Sequence, residues 1–304
     1  MTAGISVVIV NWNTRNLLEC CLRSIMAVGE GLIREFIVVD NGSTDDSVAM
    51  VRQRFPRVRL VENATNEGFA RANNRGVDLA QADWVLLLNT DAYLAPGALR
   101  AMVELAASKP NAGLVGAHLR NPDGTFQASH TAFPTLRQEL LILTGLGRAL
   151  YGRWYPSHGP NDIAGPRIAD YVEGACMLVR RVAYRAVGGF DEGYFMYAED
   201  VDLCRALRDA GWSVWYQPAA VVTHLGGGSS QRRRPERERD LYRSRVRYFR
   251  KHHGDAAART LKVMILATTV VKGVVHGVLR RATGGQRGRL VPSWHDLALH
   301  LREV

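Results

Sequence analysis

The sequence predicts an α/β fold built on a mostly parallel sheet flanked by helices, followed by a basic helical C-terminal extension. Three observations carry this reading. Short apolar, β-branched runs alternate with helical patterns through the first 120 residues. The residues just beyond four of those runs are polar. Charge then changes sharply: residues 1–230 hold 21 Lys and Arg against 23 Asp and Glu, whereas 231–304 hold 18 against 6. Alternating strands and helices cover both faces of a sheet and give parallel neighbours. With 304 residues, 47% hydrophobic and 22% charged, the chain can bury a sizeable core, which excludes a disordered polymer.

Residues 5–10 (ISVVIV) have the composition of a strand buried on both faces. Leu17, Leu18, Cys21, Leu22, Ile25 and Met26 then recur at helical spacing. Residues 36–39 predict a second strand, with Ser43, Thr44 and Asp45 as candidate caps for a helix running to Phe55. A third strand over 58–61 precedes a helix from Gly68 to Ala80, and 84–88 (WVLLL) is a fourth strand. Pro96, suited to a first helical turn, begins the next helix, and 113–117 predicts another strand. From 121 to 170 the pattern weakens after the turn Asn121-Pro122-Asp123-Gly124, so this stretch reads as variable. Order returns at 171–179, at Gly188-Gly189-Phe190-Asp191, in a helix over 200–210, and in two short strands at 213–216 and 220–224.

Four cysteines (Cys20, Cys21, Cys176, Cys204) are too few for a disulfide framework and form no C-x-x-C pair. Buried, reduced thiols are expected, Cys20 and Cys21 among them, and no zinc site. The first strand begins at residue 5 without a basic segment or long apolar stretch before it, so the active domain is expected in the cytoplasm.

In a parallel α/β sheet, ligands bind beyond the carboxyl ends of the strands. Those positions hold Asn11 to Asn13, Asp40 to Ser43, Asn63 to Asn66 and Asn89 to Asp91. Turns favour the same residue types, yet four polar groups at one edge point to a site. The first loop, Asn11-Trp12-Asn13-Thr14, lacks the glycines of a dinucleotide fingerprint, and no G-x-x-x-x-G-K-[ST] run occurs. Binding a diphosphate here would therefore require a cation with oxygen ligands.

Six stretches carry a resemblance: SVVIVNWN (6–13), VVDNGSTDDS (38–47), NEGFARANNRG (66–76), LLLNTDA (86–92), EGACMLVRR (173–181) and GGFDEGYFMYAEDVDLCRAL (188–207). In this order they resemble the family 2 glycosyltransferases of the Rossmann-like GT-A fold, particularly bacterial rhamnosyltransferase-like members that extend cell-surface glycans. The resemblance spans roughly residues 5–225 and implies a catalytic domain over 1–228. It implies that Asp40 hydrogen-bonds the pyrimidine of a donor nucleotide, with Asn11 beside the nucleoside and Gly68 and Arg71 near the diphosphate or base. A turn before Gly42 would use Asp40 equally well, and a solvated helix face would account for Arg71.

Asn89-Thr90-Asp91 stands where the family carries D-x-D. The first acid is replaced, so Asn89 is assigned to the donor, and Asp91 alone offers a charged ligand for Mg²⁺ or Mn²⁺. His224 resembles an additional metal ligand of some relatives, although a lone histidine is also a common structural residue. Glu199-Asp200 resembles the family's ED segment, which makes Asp200 the general base for the acceptor hydroxyl and implies inversion. Acids at a helix N-terminus also suit the macrodipole by themselves. Glu173, Asp191 and Glu199 are expected at the donor sugar or acceptor, and 121–170 is expected to face the acceptor. Trp12, Tyr194 and Trp212 either stack on sugars or pack in the core.

Residues 229–304 form the basic extension. Arg232, Arg233, Arg234, Arg237, Arg239, Arg243, Arg245, Arg247 and Arg250 crowd its first part, where Tyr242, Val246 and Phe249 make an apolar stripe. Residues 261–279 are largely apolar but interrupted by Lys262, Lys272, Gly273, His276 and Gly277. This composition suits a helix lying in an anionic membrane interface better than one spanning it. No nucleic-acid motif is present, so no nucleic-acid partner is expected.

The sequence thus points to an inverting, metal-dependent glycosyltransferase at the inner face of the cell membrane. The donor expected is a dTDP- or UDP-sugar, with dTDP-rhamnose foremost, and the acceptor a hydroxyl of a cell-surface glycan or lipid-linked glycan. A hexosyl- or galactofuranosyltransferase using a UDP donor stays open, as does an inactive glycan-binding relic. Asn89 favours the relic, whereas Asp91, Asp200 and His224 oppose it. A nucleotidyltransferase would want a basic glycine-rich loop where Asn11–Thr14 stands.

Overall fold

A computed structural model describes residues 4–29, 31–160, 165–227 and 234–282. Arg232, Arg233 and the stretch 283–304 of the basic region lie outside the described residues. The chain divides into two compact units, residues 1–133 with 157–234, and residues 134–156 with 235–304.

The first unit opens with β1 (Ile5–Asn11), α1 (Arg15–Val28), β2 (Ile33–Asp40), α2 (Ser47–Arg54), β3 (Val58–Glu62), α3 (Phe69–Leu79) and β4 (Trp84–Asn89). Next come β5 (Ala92–Leu94), α4 (Ala98–Ser108), β6 (Ala112–Arg120) and β7 (His130–Thr131). The second unit's helices α5 (Leu136–Thr144) and α6 (Leu146–Tyr151) follow in the chain. The first unit then resumes with β8 (Arg167–Ile168), β9 (Tyr171–Val172), β10 (Cys176–Arg180), α7 (Arg181–Ala186), α8 (Glu199–Asp209) and β11 (Ser213–His224).

Among the described residues, nine strands form one sheet in the order β3-β2-β1-β4-β10-β6-β11-β5, with β8 on β11. The first four are parallel, and β10 runs antiparallel between β4 and β6. The apolar runs are continuous because the sheet is covered on both faces. Val7, Ile9, Leu86 and Leu88 join one core with α1, while Val8, Val85 and Leu87 join the other with α3. Alternate residues of one strand thereby serve opposite cores.

Several local expectations change. Asp46 adopts a left-handed backbone (φ 62°), so α2 starts at Ser47, and Asp45 does not cap it alone. Its carboxylate accepts from Ser47 N (3.3 Å) and from Arg15 N (2.8 Å), tying two helix starts together. Ser43 and Thr44 serve the first loop instead of a cap. Gly97 (φ 82°) precedes α4, which leaves Pro96 outside the helix. Residues 213–224 are one strand rather than two, with an irregular register between Gln217 and Val221 that accommodates Pro218. Cys20 is exposed while Cys21, Cys176 and Cys204 are buried. The buried face of α1 is Leu18, Cys21, Leu22 and Ile25, and a neighbour of Cys21 sits about 100° round the helix.

The second unit corrects the reading of 121–170 as lacking a period. Thr135 and Gln138 form a capping box that starts α5. In α9 (Arg234–Ala282), Tyr248, Phe249 and Val246 are buried, Tyr242 is half-buried, and the helix breaks at Gly254 (φ 83°). Arg245 pairs with Glu139 of α5 (2.8 Å). Burial raises the Glu139 carboxyl, and the Arg245 charge opposes that rise. No described helix is long and apolar enough to cross a membrane.

Gly76 is where α3 presses on β1, because a methyl built there would overlap Val8 Cγ1. Gly76→Ala is expected to lower stability by about 1–3 kcal/mol through overpacking, read as a reduced urea midpoint with an unchanged slope.

Candidate active site

Asn11 and Asp40 are register partners at the carboxyl ends of β1 and β2, and both are buried. Asn11 Nδ2 donates to Asp40 Oδ2 (2.7 Å) and to Ser43 Oγ (3.0 Å), while Ser43 N donates to Asp40 Oδ1 (2.8 Å). Thr14 Oγ1 donates to Asn11 Oδ1 (2.7 Å) and lies 3.0 Å from Thr90 Oγ1. Asn13 takes a left-handed backbone (φ 52°), which asparagine tolerates, and accepts from Thr44 N (2.7 Å). The turn role for Asp40 is therefore present. Each carboxylate oxygen still has lone-pair capacity for a further donor.

The next layer joins the third loop to the segment before α8. Asn63 Nδ2 donates to Asn41 Oδ1 (2.7 Å), Asn41 Nδ2 to Gly68 O (3.1 Å), and Arg75 to Asn63. Gly68 has φ 89°, and a side chain there would meet Phe195 O at 2.7 Å. Phe69 N donates to that same Phe195 O (2.8 Å). Only glycine suits both the backbone angle and this approach. Arg71 pairs across the surface with Glu192 (3.2 Å). The neighbouring Asp191 accepts from Gly193 N (2.9 Å) in a turn.

At the end of β4, Asp91 is buried and His224 is half-buried, with His224 Nε2 3.3 Å from Asp91 Oδ1. The strand pairing His224↔Ala92 and the bond from Leu225 N to Asp91 O (3.0 Å) hold the two segments together. His224 Nδ1 lies 2.8 Å from Gln127 Oε1, and Gln127 Nε2 donates to Asn121 Oδ1 (3.3 Å). That second bond orients the amide so that Oε1 faces the ring, which makes Nδ1 the protonated nitrogen. Nε2 is then the ring nitrogen turned to the Asp91 oxygen, and with a neutral ring the two present acceptors that converge as in a cation site. These residues fit a divalent ion. Among the described residues, no group of three or more His, Cys, Asp or Glu side chains is placed to hold one, so the remaining positions fall to substrate oxygens or water.

The third component is a set of carboxyls. Asp200 Oδ2 accepts from Gly174 N (2.9 Å) and its Oδ1 from Val201 N (2.8 Å). Glu199 is buried, and its Oε2 has no hydrogen-bond partner. Desolvation pushes Glu173 up to about 8, with the Asp200 charge adding to the rise. Glu199 lies well above the usual carboxyl range through burial first and the Asp200 charge second. Burial also raises Asp200, but its two amide donors oppose this. Burial thus raises all three carboxyls, and Asp200, at the first turn of α8, is the one whose two oxygens both accept from backbone amides that favour its charged form. Tyr197 (φ 73°) and Ala198 (φ 63°) precede this turn in left-handed conformations.

Antiparallel β10 brings these parts to one edge. Cys176 pairs with Leu88, Asn89 N donates to Ala175 O (3.0 Å), and Gly174 N reaches Asp200. Asn11, Asp40, Asn89, Asp91, Glu173, Glu199, Asp200 and His224 thus share the carboxyl edge of the parallel strands. Sequence reasoning placed Asn13 and Ser43 in the polar groups at this edge but missed Gln127, and nothing in the run 121–127 marks Gln127 beyond its place after a turn. Tyr194 is buried and Trp212 packs on the core, whereas Trp12 is half-buried in the first loop.

A raised carboxyl has a stability signature. Between its unfolded value near 4.5 and its folded value of about 8, the folded chain keeps a proton that the unfolded chain releases, so stability falls as pH rises. Glu173→Gln should recover on the order of a few kcal/mol at pH 9 relative to pH 5. Urea unfolding at the two pH values checks this; an unchanged difference would refute it.

Residues 6–188 match the family described as Glycosyl transferase family 2. The chain is 35% identical over 251 residues to an N-acetylglucosaminyl-diphospho-decaprenol L-rhamnosyltransferase of Mycobacterium tuberculosis, covering 76% of this chain and 79% of that protein. It is 30% identical over 166 residues to rhamnosyltransferase WbbL of Escherichia coli, covering 52% of this chain and 60% of that one. Among solved structures, the mannosyltransferase PcManGT from Pyrobaculum calidifontis, in complex with GDP-Man and Mn²⁺, aligns with a TM-score of 0.58 at 19% identity, over 99% of this chain and 79% of that one. GalNAc-T7 with UDP, GalNAc and Mn²⁺ aligns at 0.59 and 16% identity, over 82% of this chain and 48% of that one. These two structures establish the GT-A fold. With a family match over more than half its length and a relative this similar along three quarters of it, the chain belongs to glycosyltransferase family 2 and is similar to its rhamnosyltransferases.

Proposed function

We propose that the protein transfers L-rhamnose from dTDP-rhamnose to a hydroxyl of a lipid-linked glycan, with inversion, at the inner face of the cell membrane. The observation that carries the chemistry is the placing of the Asp91–His224 pair and Asp200 at one sheet edge. The choice of sugar and of a lipid-linked acceptor rests on similarity to the mycobacterial rhamnosyltransferase, whose name specifies both.

In this reading Asp40 accepts from the pyrimidine of the donor, and Asn11 and Ser43 hold its carboxylate in place. Asn89, Gly68 and Arg71 line the approach of the nucleoside diphosphate. Asp91 and His224 hold Mg²⁺ or Mn²⁺, which when bound offsets charge on the departing diphosphate. An amide at Asn89 in place of an acid lowers the charge at this position, so a bound cation would lean more on the substrate phosphates. Asp200 takes the proton of the acceptor hydroxyl as its oxygen bonds to the anomeric carbon. The bond from that carbon to the diphosphate oxygen breaks on the opposite face. Glu173 and Glu199, kept neutral, donate hydrogen bonds to sugar hydroxyls, and Asp191 borders the sugar.

Asp200→Asn is expected to cut kcat by about 10²–10⁴-fold, while thermal shifts with dTDP and Mn²⁺ stay as in the native chain. Loss of both would assign Asp200 to folding instead. Gln127→Ala releases the His224 ring and should raise the Mn²⁺ concentration for half-maximal rate by about tenfold or more. A donor panel of dTDP-, UDP- and GDP-sugars tests the nucleotide: a GDP preference overturns the role given to Asp40, and no turnover with any donor supports the inactive relic.

A further inference from the structure

Beyond Gly254 the helix α9 carries apolar residues on two opposite sides. Ala258, Leu261 and Ile265 are buried within the structure. Val263, Leu266, Val270, Val271, Val274 and Val275 are 38–65% exposed. At 100° per residue, Val263, Leu266, Val270 and Val274 share a strip about 80° wide, and Val271 and Val275 widen it on one flank. Helix positions facing water are ordinarily polar, and a continuous apolar strip marks an interaction surface.

Charge selects the partner. Residues 256–282 contain no Asp or Glu, whereas Arg259, Lys262, Lys272, Arg280 and Arg281 are basic. By the same count Arg259 falls within the strip one turn before Val263, and Lys262 borders it on the Leu266 side. Two copies packed through this strip would bring these cations together with no acid from the same stretch to offset them. An anionic bilayer interface satisfies both features, because acyl chains receive the valines and phosphate headgroups receive the bases. No described helix is long and apolar enough to cross a membrane, so the orientation open to this stretch at a bilayer is along the interface.

We propose that the Val263–Leu266–Val270–Val274 strip docks this chain onto anionic lipid, as a helix in the plane of the headgroups. The proposal rests on the lipid-linked acceptor reading only for its setting. Vesicle binding is measured without donor, acceptor or cation, so either reading can fail alone.

The full chain should cosediment with phosphatidylcholine vesicles holding about 30 mol% phosphatidylglycerol and remain in the supernatant with phosphatidylcholine alone. The combined variant Val263→Asp, Val270→Asp and Val274→Asp changes exposed positions only. It should retain its melting temperature and lose binding by about tenfold or more. Arg259→Glu with Lys262→Glu should weaken binding to anionic vesicles specifically. The proposal is overturned if the native chain ignores anionic vesicles, or if the triple variant pellets like the native chain. Light scattering that shows a dimer split by the triple variant assigns the strip to a second copy. Binding that emerges only after removal of residues 283–304 assigns its cover to the chain's own end.

Discussion

The site depends on one topological constraint, the insertion of β10 antiparallel between β4 and β6. In a purely parallel sheet, the strand beside β4 would send its amino end to the opposite edge. Running the other way, β10 begins where β4 ends. The bond from Asn89 N to Ala175 O fixes that junction, and the next amide, Gly174 N, grips Asp200. A cation-type pair and a carboxyl cluster contributed by distant parts of the chain therefore meet through ladder hydrogen bonds. Rigid strands set this spacing, which suits chemistry sensitive to small misplacements.

Electrostatics then divides labour among three acids that cannot all ionise together. Local amides decide the outcome: Asp200 has two donors, whereas Glu199 Oε2 has none. A carboxyl supported in this way keeps an affinity for protons above that of a free aspartate, which is the property the proposed proton abstraction demands. Burial first and the Asp200 charge second raise its two neighbours. Asn11 and the Ser43 amide perform the corresponding service for Asp40, holding its carboxylate without adding charge beside it.

Much of this was legible in the sequence because both-face burial leaves a plain mark. Runs such as ISVVIV and WVLLL fall on central strands, and the polar groups after them fall on the same edge. The capping of α2 was not legible, since Asp45 serves Arg15 across the first loop and local spacing shows nothing of that. Cys20 went astray because an apolar helical stretch was read without the turn angle between neighbours. The two helices in 134–156 were missed although the capping box at Thr135 and Gln138 was on view. Gln127 was beyond reach: its part depends on a tautomer set by tertiary contact. The antiparallel direction of β10 was equally hidden, as a strand's sequence carries no arrow.

Tyr197 and Ala198 sit just ahead of Asp200, both in a region side chains avoid. Holding two such residues in succession costs on the order of 1–3 kcal/mol each, and glycine at either position would relieve it. Glycine would also widen the backbone freedom just before α8. Selection for heat tolerance alone would therefore favour sequences whose turn before Asp200 wanders, so ruggedness and the role proposed for that acid pull this short link in opposite directions.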